Sequence, residues 1–151
     1  MPQTHEYPVS VSWSGGRDGS GAFKLAHSGF EGPIAVPVEY QGTGAGTNPE
    51  ELLTSAVACC YGITFGIIAA NRKLVLKDFK VDAVGEVEQN GASLIYTAIT
   101  IRPTIVLEAS ASDEIKALAE DLAHKADLYC IITNAVRGKV AISVEPKITR
   151  G

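Results

Sequence analysis

Cysteine is scarce in this sequence. The three cysteines, Cys59, Cys60 and Cys130, are an odd number, which argues against a framework of purely structural disulfides. The first ten residues contain Glu6 and two prolines but no apolar run, so we expect no secretory signal and a cytoplasmic protein. In that reducing compartment a persistent disulfide is usually catalytic or sensory. The cysteines therefore need an explanation other than structural cross-linking.

A basic cluster is also missing. The chain has 13 Lys and Arg against 17 Asp and Glu, a net charge of −4 and a pI near 5.3, and its basic residues are scattered. Nucleic acids and anionic membrane surfaces both attract a concentrated basic surface, so we predict neither as a partner. The cysteines and histidines lack the Cys-x-x-Cys and His-x₃-His spacings of metal sites, and we predict no metal and no cofactor.

The composition is that of an ordinary globular protein. Hydrophobic residues make up 46% of the 151 residues and charged residues 20%, so we expect one domain over residues 1–151. Alternating patterns and turn signals predict an α+β fold with mostly antiparallel pairing. The predicted strands are residues 9–14, 22–26, 74–88, 92–107 and 139–145, with an extended piece at 34–39 inside a long connection over 28–46. A second, amphipathic helix follows residues 110–113, and a short turn is expected at 128–134.

A long apolar helix is the clearest single element. Asn48 suits the N-cap, Pro49 the first helical position and Glu51 the third position of a capping box. Residues 52–70 then contain no charge. A helix that is apolar all round is either a membrane span or the buried axis of a domain. We interpret it as a buried axis, because polar residues such as Thr64 interrupt it and strand-like sequence follows directly.

The chemistry is predicted to lie at Cys60, in this helix, and at Cys130, after the second helix. A reactive cysteine needs a lowered pKa, because the thiolate is the nucleophile. Arg17, on a glycine-rich turn, could supply the positive charge, and Glu50 could orient its guanidinium. Each residue also has an ordinary explanation: a packed thiol, a solvated hairpin tip, or a carboxylate that favours the helix dipole. Cys59 points about 100° away from Cys60 on a helix, so we interpret it as a packing residue.

Four groups of residues together resemble the OsmC/Ohr family of organic hydroperoxide reductases. They are Gly-Gly-Arg-Asp-Gly at 15–19, Thr-Asn-Pro-Glu-Glu-Leu at 47–52, Ala-Cys-Cys-Tyr at 58–61, and Cys130 with Asn134 and Arg137-Gly138. The resemblance implies the OsmC-like fold, with antiparallel sheets around a long buried helix, and an intertwined homodimer with active sites at the interface. It also implies that Cys60 is the peroxidatic cysteine, Cys130 the resolving cysteine, and Arg17 and Glu50 the activating pair.

The implied cycle reduces an organic peroxide through a Cys60 sulfenic acid and a Cys60–Cys130 disulfide, which a lipoyl-type dithiol or a small thiol reopens. Two departures from the family pattern stand out: Ile131 where proline is frequent, and Cys59 where alanine is usual. The motifs leave the OsmC and Ohr branches both open. The alternative functions are a redox sensor or binding protein that uses the same disulfide with little turnover, and a non-redox ligand-binding dimer.

Helix geometry bears separately on assembly. Glu50 and Cys60 would lie about 15 Å apart along a straight helix, beyond the reach of a side chain. If both serve one site, either Glu50 acts on the thiol of a partner chain or the helix is broken between them.

Overall fold

A computed structural model describes all 151 residues, as two compact units: an N-terminal unit, Met1–Leu52, and a C-terminal unit, Leu53–Gly151. The long helix α1, Pro49–Asn71, begins in the first unit and continues into the second without interruption. The broken-helix alternative raised by the sequence is therefore wrong. The predicted behaviour of the chain as a single domain stays a prediction.

The N-terminal unit is a three-stranded antiparallel sheet. Strands β1 (Val9–Ser14), β2 (Ser20–Leu25) and β3 (Glu31–Ile34) lie in that order. The first two form the predicted hairpin, whose turn uses Gly15 at a φ of 94°, a left-handed conformation that favours glycine. The extended piece expected at residues 34–39 is misplaced: the strand ends at Ile34, and a 3₁₀ helix occupies Val38–Tyr40.

The start of α1 is capped as predicted. The backbone N–H of Glu51 donates to Oδ1 of Asn48 at 2.8 Å, which satisfies one of the free N–H groups at the helix end. The Glu51 carboxylate accepts a hydrogen bond from the hydroxyl of Thr47 at 2.8 Å. Thr47 also pairs with Ile34 as an isolated parallel bridge, so the helix start is fixed to the end of β3.

The C-terminal unit is built on a second sheet. Strands β4 (Leu76–Asn90) and β5 (Ser93–Leu107) form the predicted long antiparallel hairpin, with Gly91 at a φ of 61° in its turn. Strands β6 (Ala141–Val144) and β7 (Lys147–Arg150) pair one after the other, in parallel, along the far edge of β5. The sequence predicted β6 as part of a longer strand and missed β7.

Helix α2 (Asp113–Tyr129) begins at an N-cap, Ser112, whose hydroxyl accepts from the N–H of Ile115. Helix α3 (Ile131–Val136) follows after a single extended residue, Cys130. The turn expected over residues 128–134 is thus wrong, because both of its sides are helical. The core of this unit combines a stripe of α1 with side chains of β5 and α2, including Tyr61, Phe65, Ile99, Ile105, Leu122 and Ala126.

One helix, α1, is long and apolar enough to cross a membrane by length and composition. Its stripe Val57, Tyr61, Phe65 and Ala69 is buried in the core of the C-terminal unit. The opposite face contains Ile63 and Ile67, which are 65% and 56% exposed in the single chain. The helix is therefore a core element on one side and an uncovered apolar surface on the other.

Candidate functional site

Cys60 and Cys130 meet within the C-terminal unit. Cys60 lies in the middle of α1 and is half-buried, whereas Cys130 separates α2 from α3 and is fully buried. Both are free thiols, and their side chains lie close enough for each to shift the pKa of the other. The structure thus brings together the two cysteines on which the sequence-based mechanism depends.

Cys130 reaches this position because the chain breaks its helical path for one residue. It ends α2 and caps α3, with a φ of −74° and a ψ of 114°. Its Sγ accepts a hydrogen bond from the backbone N–H of Thr133 at 3.4 Å, which is the geometry of an N-cap side chain. The local fold therefore directs the sulfur inward.

The helix break is held by a polar network around Arg137. Its Nη2 donates to both the backbone carbonyl and Oδ1 of Asp127, each at 3.2 Å, and its Nε donates to Oδ1 of Asn134 at 3.1 Å. The Asn134 amide in turn donates to the carbonyl of Leu128 at 3.0 Å. The end of α2 and the whole of α3 are thereby fixed on either side of Cys130.

The surroundings favour the thiolate at Cys60. Burial raises the pKa of Cys60, but the hydrogen bond from the Cys130 thiol outweighs it together with three weaker donors. Those donors are the backbone N–H of Ile132, the hydroxyl of Thr64 and the backbone N–H of Ile131. The pKa of Cys60 consequently lies below the ordinary thiol value of 9.0.

The pKa of Cys130 moves in the opposite direction. Burial raises it, and so does the hydrogen bond that Cys130 shares with Cys60, while the Thr133 side chain and N–H lower it in part. Cys60 is therefore the more acidic thiol of the pair and Cys130 the less acidic one. Two residues whose pKa values are pushed apart in this way are typical of a functional site.

Arg17 and Glu50 lie in the N-terminal unit, and both are found beside Tyr40. Nη1 of Arg17 donates to the backbone carbonyl of Tyr40 at 3.0 Å. Partial desolvation raises the pKa of Tyr40, and the negative charges of Glu50 and Glu39 raise it further. A joint role of Arg17 and Glu50 in activating Cys60 stays a prediction.

A cavity of about 360 Å³ adjoins this group in the N-terminal unit. Its wall is mostly apolar, with Val11, Trp13, Ile34 and Pro37 among its residues, and it is bordered by Tyr40 and Glu50. Such a wall suits an organic group, with polar atoms of the bound molecule directed to the Glu50 side.

Four contributors to the site were missed in the sequence. Thr64 lies one helical turn after Cys60, with its hydroxyl 4.0 Å from the sulfur, and an i,i+4 search from Cys60 would have found it. Thr133 and the N–H groups of Ile131 and Ile132 depend on α3, which was not predicted. Cys59 points away from the pair, as the helix angle indicated, but it is exposed, so its interpretation as a packing residue is wrong for the single chain.

Comparison with known proteins gives a consistent result. A sequence model of the family described as OsmC-like protein matches residues 42–145. The Bacillus subtilis protein YmaD, itself uncharacterized, is 32% identical over 147 residues, which covers 97% of both chains. An organic hydroperoxide resistance protein of Xanthomonas axonopodis pv. citri is 25% identical over 148 residues, covering 95% of this chain and 96% of its own.

Solved structures show the same fold. An organic hydroperoxide resistance protein OsmC from Legionella pneumophila superposes with a TM-score of 0.73 at 23% identity, over 95% of this chain and 99% of that one. The organic hydroperoxide resistance protein OhrB of Bacillus subtilis superposes with a TM-score of 0.66 at 23% identity, over 93% and 98%. The predicted α+β class and OsmC-like fold are confirmed.

Proposed function

Because the chain belongs to the OsmC-like protein family, we propose that it is a cysteine-based peroxidase that reduces organic hydroperoxides to alcohols. The observation that carries this proposal is the meeting of two free thiols, a half-buried Cys60 and a fully buried Cys130, whose proximity lowers the pKa of Cys60. The names of its hydroperoxide-resistance relatives and the apolar cavity of the N-terminal unit support the choice of substrate class.

The proposed cycle has three steps. The Cys60 thiolate attacks one peroxide oxygen, the O–O bond breaks, and the alkoxide leaves and takes up a proton as the alcohol. The Cys130 sulfur then attacks the Cys60 sulfenic acid. The S–O bond of the sulfenic acid breaks, its OH group takes up the Cys130 proton and leaves as water, and a Cys60–Cys130 disulfide forms. A dithiol, of the lipoyl type or a small thiol, finally reduces the disulfide by exchange.

We further propose a cytoplasmic homodimer in which Arg17 and Glu50 complete the site. Since α1 is continuous, Glu50 lies about 15 Å along the axis from the Cys60 of its own helix. Glu50 therefore acts on Cys60 of a second copy, where it orients Arg17, and Arg17 stabilises both the thiolate and the charge on the departing oxygen. The uncovered apolar face of α1 supplies a surface for that copy.

The deciding experiment treats the reduced protein with one equivalent of cumene hydroperoxide and maps its disulfides by mass spectrometry. A 60–130 link is expected, with steady turnover in excess dithiol. Cys60→Ser should abolish turnover, whereas Cys59→Ala should retain it as the matched control. A 59–130 link would reassign the attacking thiol, and full turnover of Cys60→Ser would overturn the mechanism.

A redox sensor is the second candidate, and one observation favours it. Cys130 is fully buried, so half of the disulfide is closed to an external reductant. A sensor would form the same 60–130 link but turn over slowly in excess dithiol. The steady-state rate, measured with the mapped disulfide in hand, separates the two functions.

A further inference from the structure

Thr133 is a buried polar residue next to the sulfur of Cys130. Thr133 and Cys130 are each 0% exposed, and the N–H of Thr133 donates to the Cys130 sulfur at 3.4 Å. The Thr133 hydroxyl is also buried and makes no hydrogen bond of ordinary geometry in the reduced protein. Leaving a buried hydroxyl unsatisfied costs free energy, and a negative charge on the neighbouring sulfur would give this hydroxyl a partner.

The two sulfurs of the pair differ in accessibility. Cys60 is half-buried on α1, whereas Cys130 is closed off between α2 and α3. Thiol–disulfide exchange requires the incoming thiolate to contact one sulfur, while the other leaves as a thiolate. With the exposures of the reduced single chain, the Cys60 sulfur of a Cys60–Cys130 disulfide is the one open to an incoming thiolate.

We propose that the reducing dithiol attacks the Cys60 sulfur and that Thr133 stabilises Cys130 as the leaving thiolate. This inference rests on the disulfide of the proposed cycle. One thiolate of the dithiol forms a bond to Cys60, and the 60–130 bond breaks with its electron pair on Cys130. The second thiol of the reductant then attacks its own mixed-disulfide sulfur, which closes a cyclic disulfide and releases Cys60 as a thiolate. The two protons of the dithiol end on the cysteine pair or in solvent.

Thr133 suits this role because a thiolate formed in a buried place needs nearby donors. Its N–H already donates to the sulfur. Its hydroxyl lies near enough to lower the Cys130 pKa but does not reach ordinary hydrogen-bond geometry, and a small rotation about one bond can direct it there. Burial and the bond with Cys60 raise the pKa of Cys130, and the side chain and N–H of Thr133 are the groups that lower it. The hydroxyl that is unsatisfied in the reduced pair is thus a donor ready for the leaving group.

The attacked sulfur can be mapped without any peroxide. The Cys59→Ala protein is oxidised with diamide, mixed briefly with glutathione, quenched with acid, unfolded and alkylated with N-ethylmaleimide. Peptide mass spectrometry should find glutathione on Cys60 and the maleimide on Cys130 in most single adducts. Glutathione mainly on Cys130, or no 60–130 disulfide after diamide, overturns the inference. A protein that passes this test but does not consume peroxide would refute only the peroxidase function.

The role of the hydroxyl is tested by the rate at which dithiothreitol reduces the diamide-oxidised protein. Thr133→Val should slow reduction about tenfold, the effect of losing one hydrogen bond to a charged group. Thr133→Ser keeps the hydroxyl and should restore the rate to within about twofold. Thr104→Val, at a half-buried position on β5, is the control and should not change it. An unchanged rate in Thr133→Val, or an equal loss in Thr133→Ser, overturns the role of the hydroxyl. If Thr133→Val does not fold, Thr133→Ala tests the hydroxyl in its place, and the adduct map decides the direction of attack by itself.

Discussion

Ile131 shows how one backbone group can set the reactivity of a neighbouring thiol. It is the first residue of α3, and its N–H is one of the donors that lower the pKa of Cys60. In the related family a proline is frequent at this position, and proline has no N–H to donate. The isoleucine therefore adds a donor to the site, beyond any effect on how Cys130 is presented.

Ile131→Pro should raise the pKa of Cys60 while preserving the fold. Proline suits the first position of a helix, and Cys130 already has the extended conformation that a residue before proline prefers. Alkylation follows the thiolate fraction, so its rate rises with pH through the pKa. In the wild type the midpoint at Cys60 should lie below pH 9.0, and in Ile131→Pro it should move upward. Ile131→Val, which keeps the N–H, should match the wild type; an unmoved midpoint in the proline variant would refute this role.

At this scale the sequence allowed the choice of Cys60 and Cys130 and the separation of Cys59 from them. The pairing came from a family resemblance, and the separation of Cys59 from the pair came from helix geometry. The sequence could not show the division of pKa values within the pair. That division depends first on burial and on the proximity of the two sulfurs, and then on backbone N–H groups at the start of α3. None of these can be read from side-chain identity.

Tyr61 links two helices of the core. Its ring is fully buried in the stripe of α1, and its hydroxyl donates to the carbonyl of Ala123 on α2 at 2.5 Å. Burial and the nearby charge of Asp127 raise the pKa of Tyr61, so the hydroxyl stays protonated as a donor.

Tyr61→Phe should lower the free energy of unfolding by about 1–2 kcal/mol, because the ring still fills its place but the hydrogen bond is lost. Urea unfolding followed by circular dichroism measures the change. Tyr129→Phe removes a hydroxyl from an exposed ring on the same helix as Ala123 and should stay within about 0.5 kcal/mol of wild type. Equal effects of the two substitutions would show that the buried hydrogen bond makes no net contribution to the free energy of unfolding.

Arg137 should matter for the closure of the disulfide as well as for stability. Arg137→Gln removes the bonds to Asp127 and Asn134, leaves a mostly buried carboxylate without its cation, and loosens α3 against α2. We expect a loss of about 2 kcal/mol in unfolding free energy and slower formation of the 60–130 link after peroxide. Stopped-flow intrinsic fluorescence and quenched disulfide mapping measure the second effect. Arg102→Gln, which breaks the exposed pair with Glu145, should change neither.

Elements with strong local signals were predicted well, and those held by distant contacts were not. The caps of α1 and α2 and the long hairpin of β4 and β5 are determined by residues that are neighbours in the sequence. By contrast, α3 begins with β-branched residues, Ile131, Ile132 and Thr133, that disfavour helix, and it is held by the Arg137 network instead. Strand β7 is short and follows Pro146, and it exists because the far end of β5 has a free edge for it.

At the scale of the whole molecule, the apolar length of α1 has two explanations that composition cannot distinguish. One stripe of the helix fills the core of the C-terminal unit, and the opposite stripe, with Cys59, Ile63 and Ile67, is exposed in the single chain. Because apolar residues surround the helix, its periodicity does not show which stripe faces the core and which is exposed. The exposed stripe is the surface on which the proposed homodimer depends.

Ile63→Glu should convert the protein to a monomer, because a charge would then lie in the apolar contact between two α1 helices. Sedimentation equilibrium should give a dimer for the wild type and for Ile115→Glu, a matched change at an exposed position of α2. The monomer should still form the 60–130 disulfide with diamide, since both cysteines belong to one chain. Its turnover with cumene hydroperoxide should fall sharply, since in the proposed homodimer the Glu50 that serves Cys60 comes from the partner. A monomeric Ile63→Glu with full turnover would show that one chain is sufficient for the reaction, and a dimeric one would place the interface on another face.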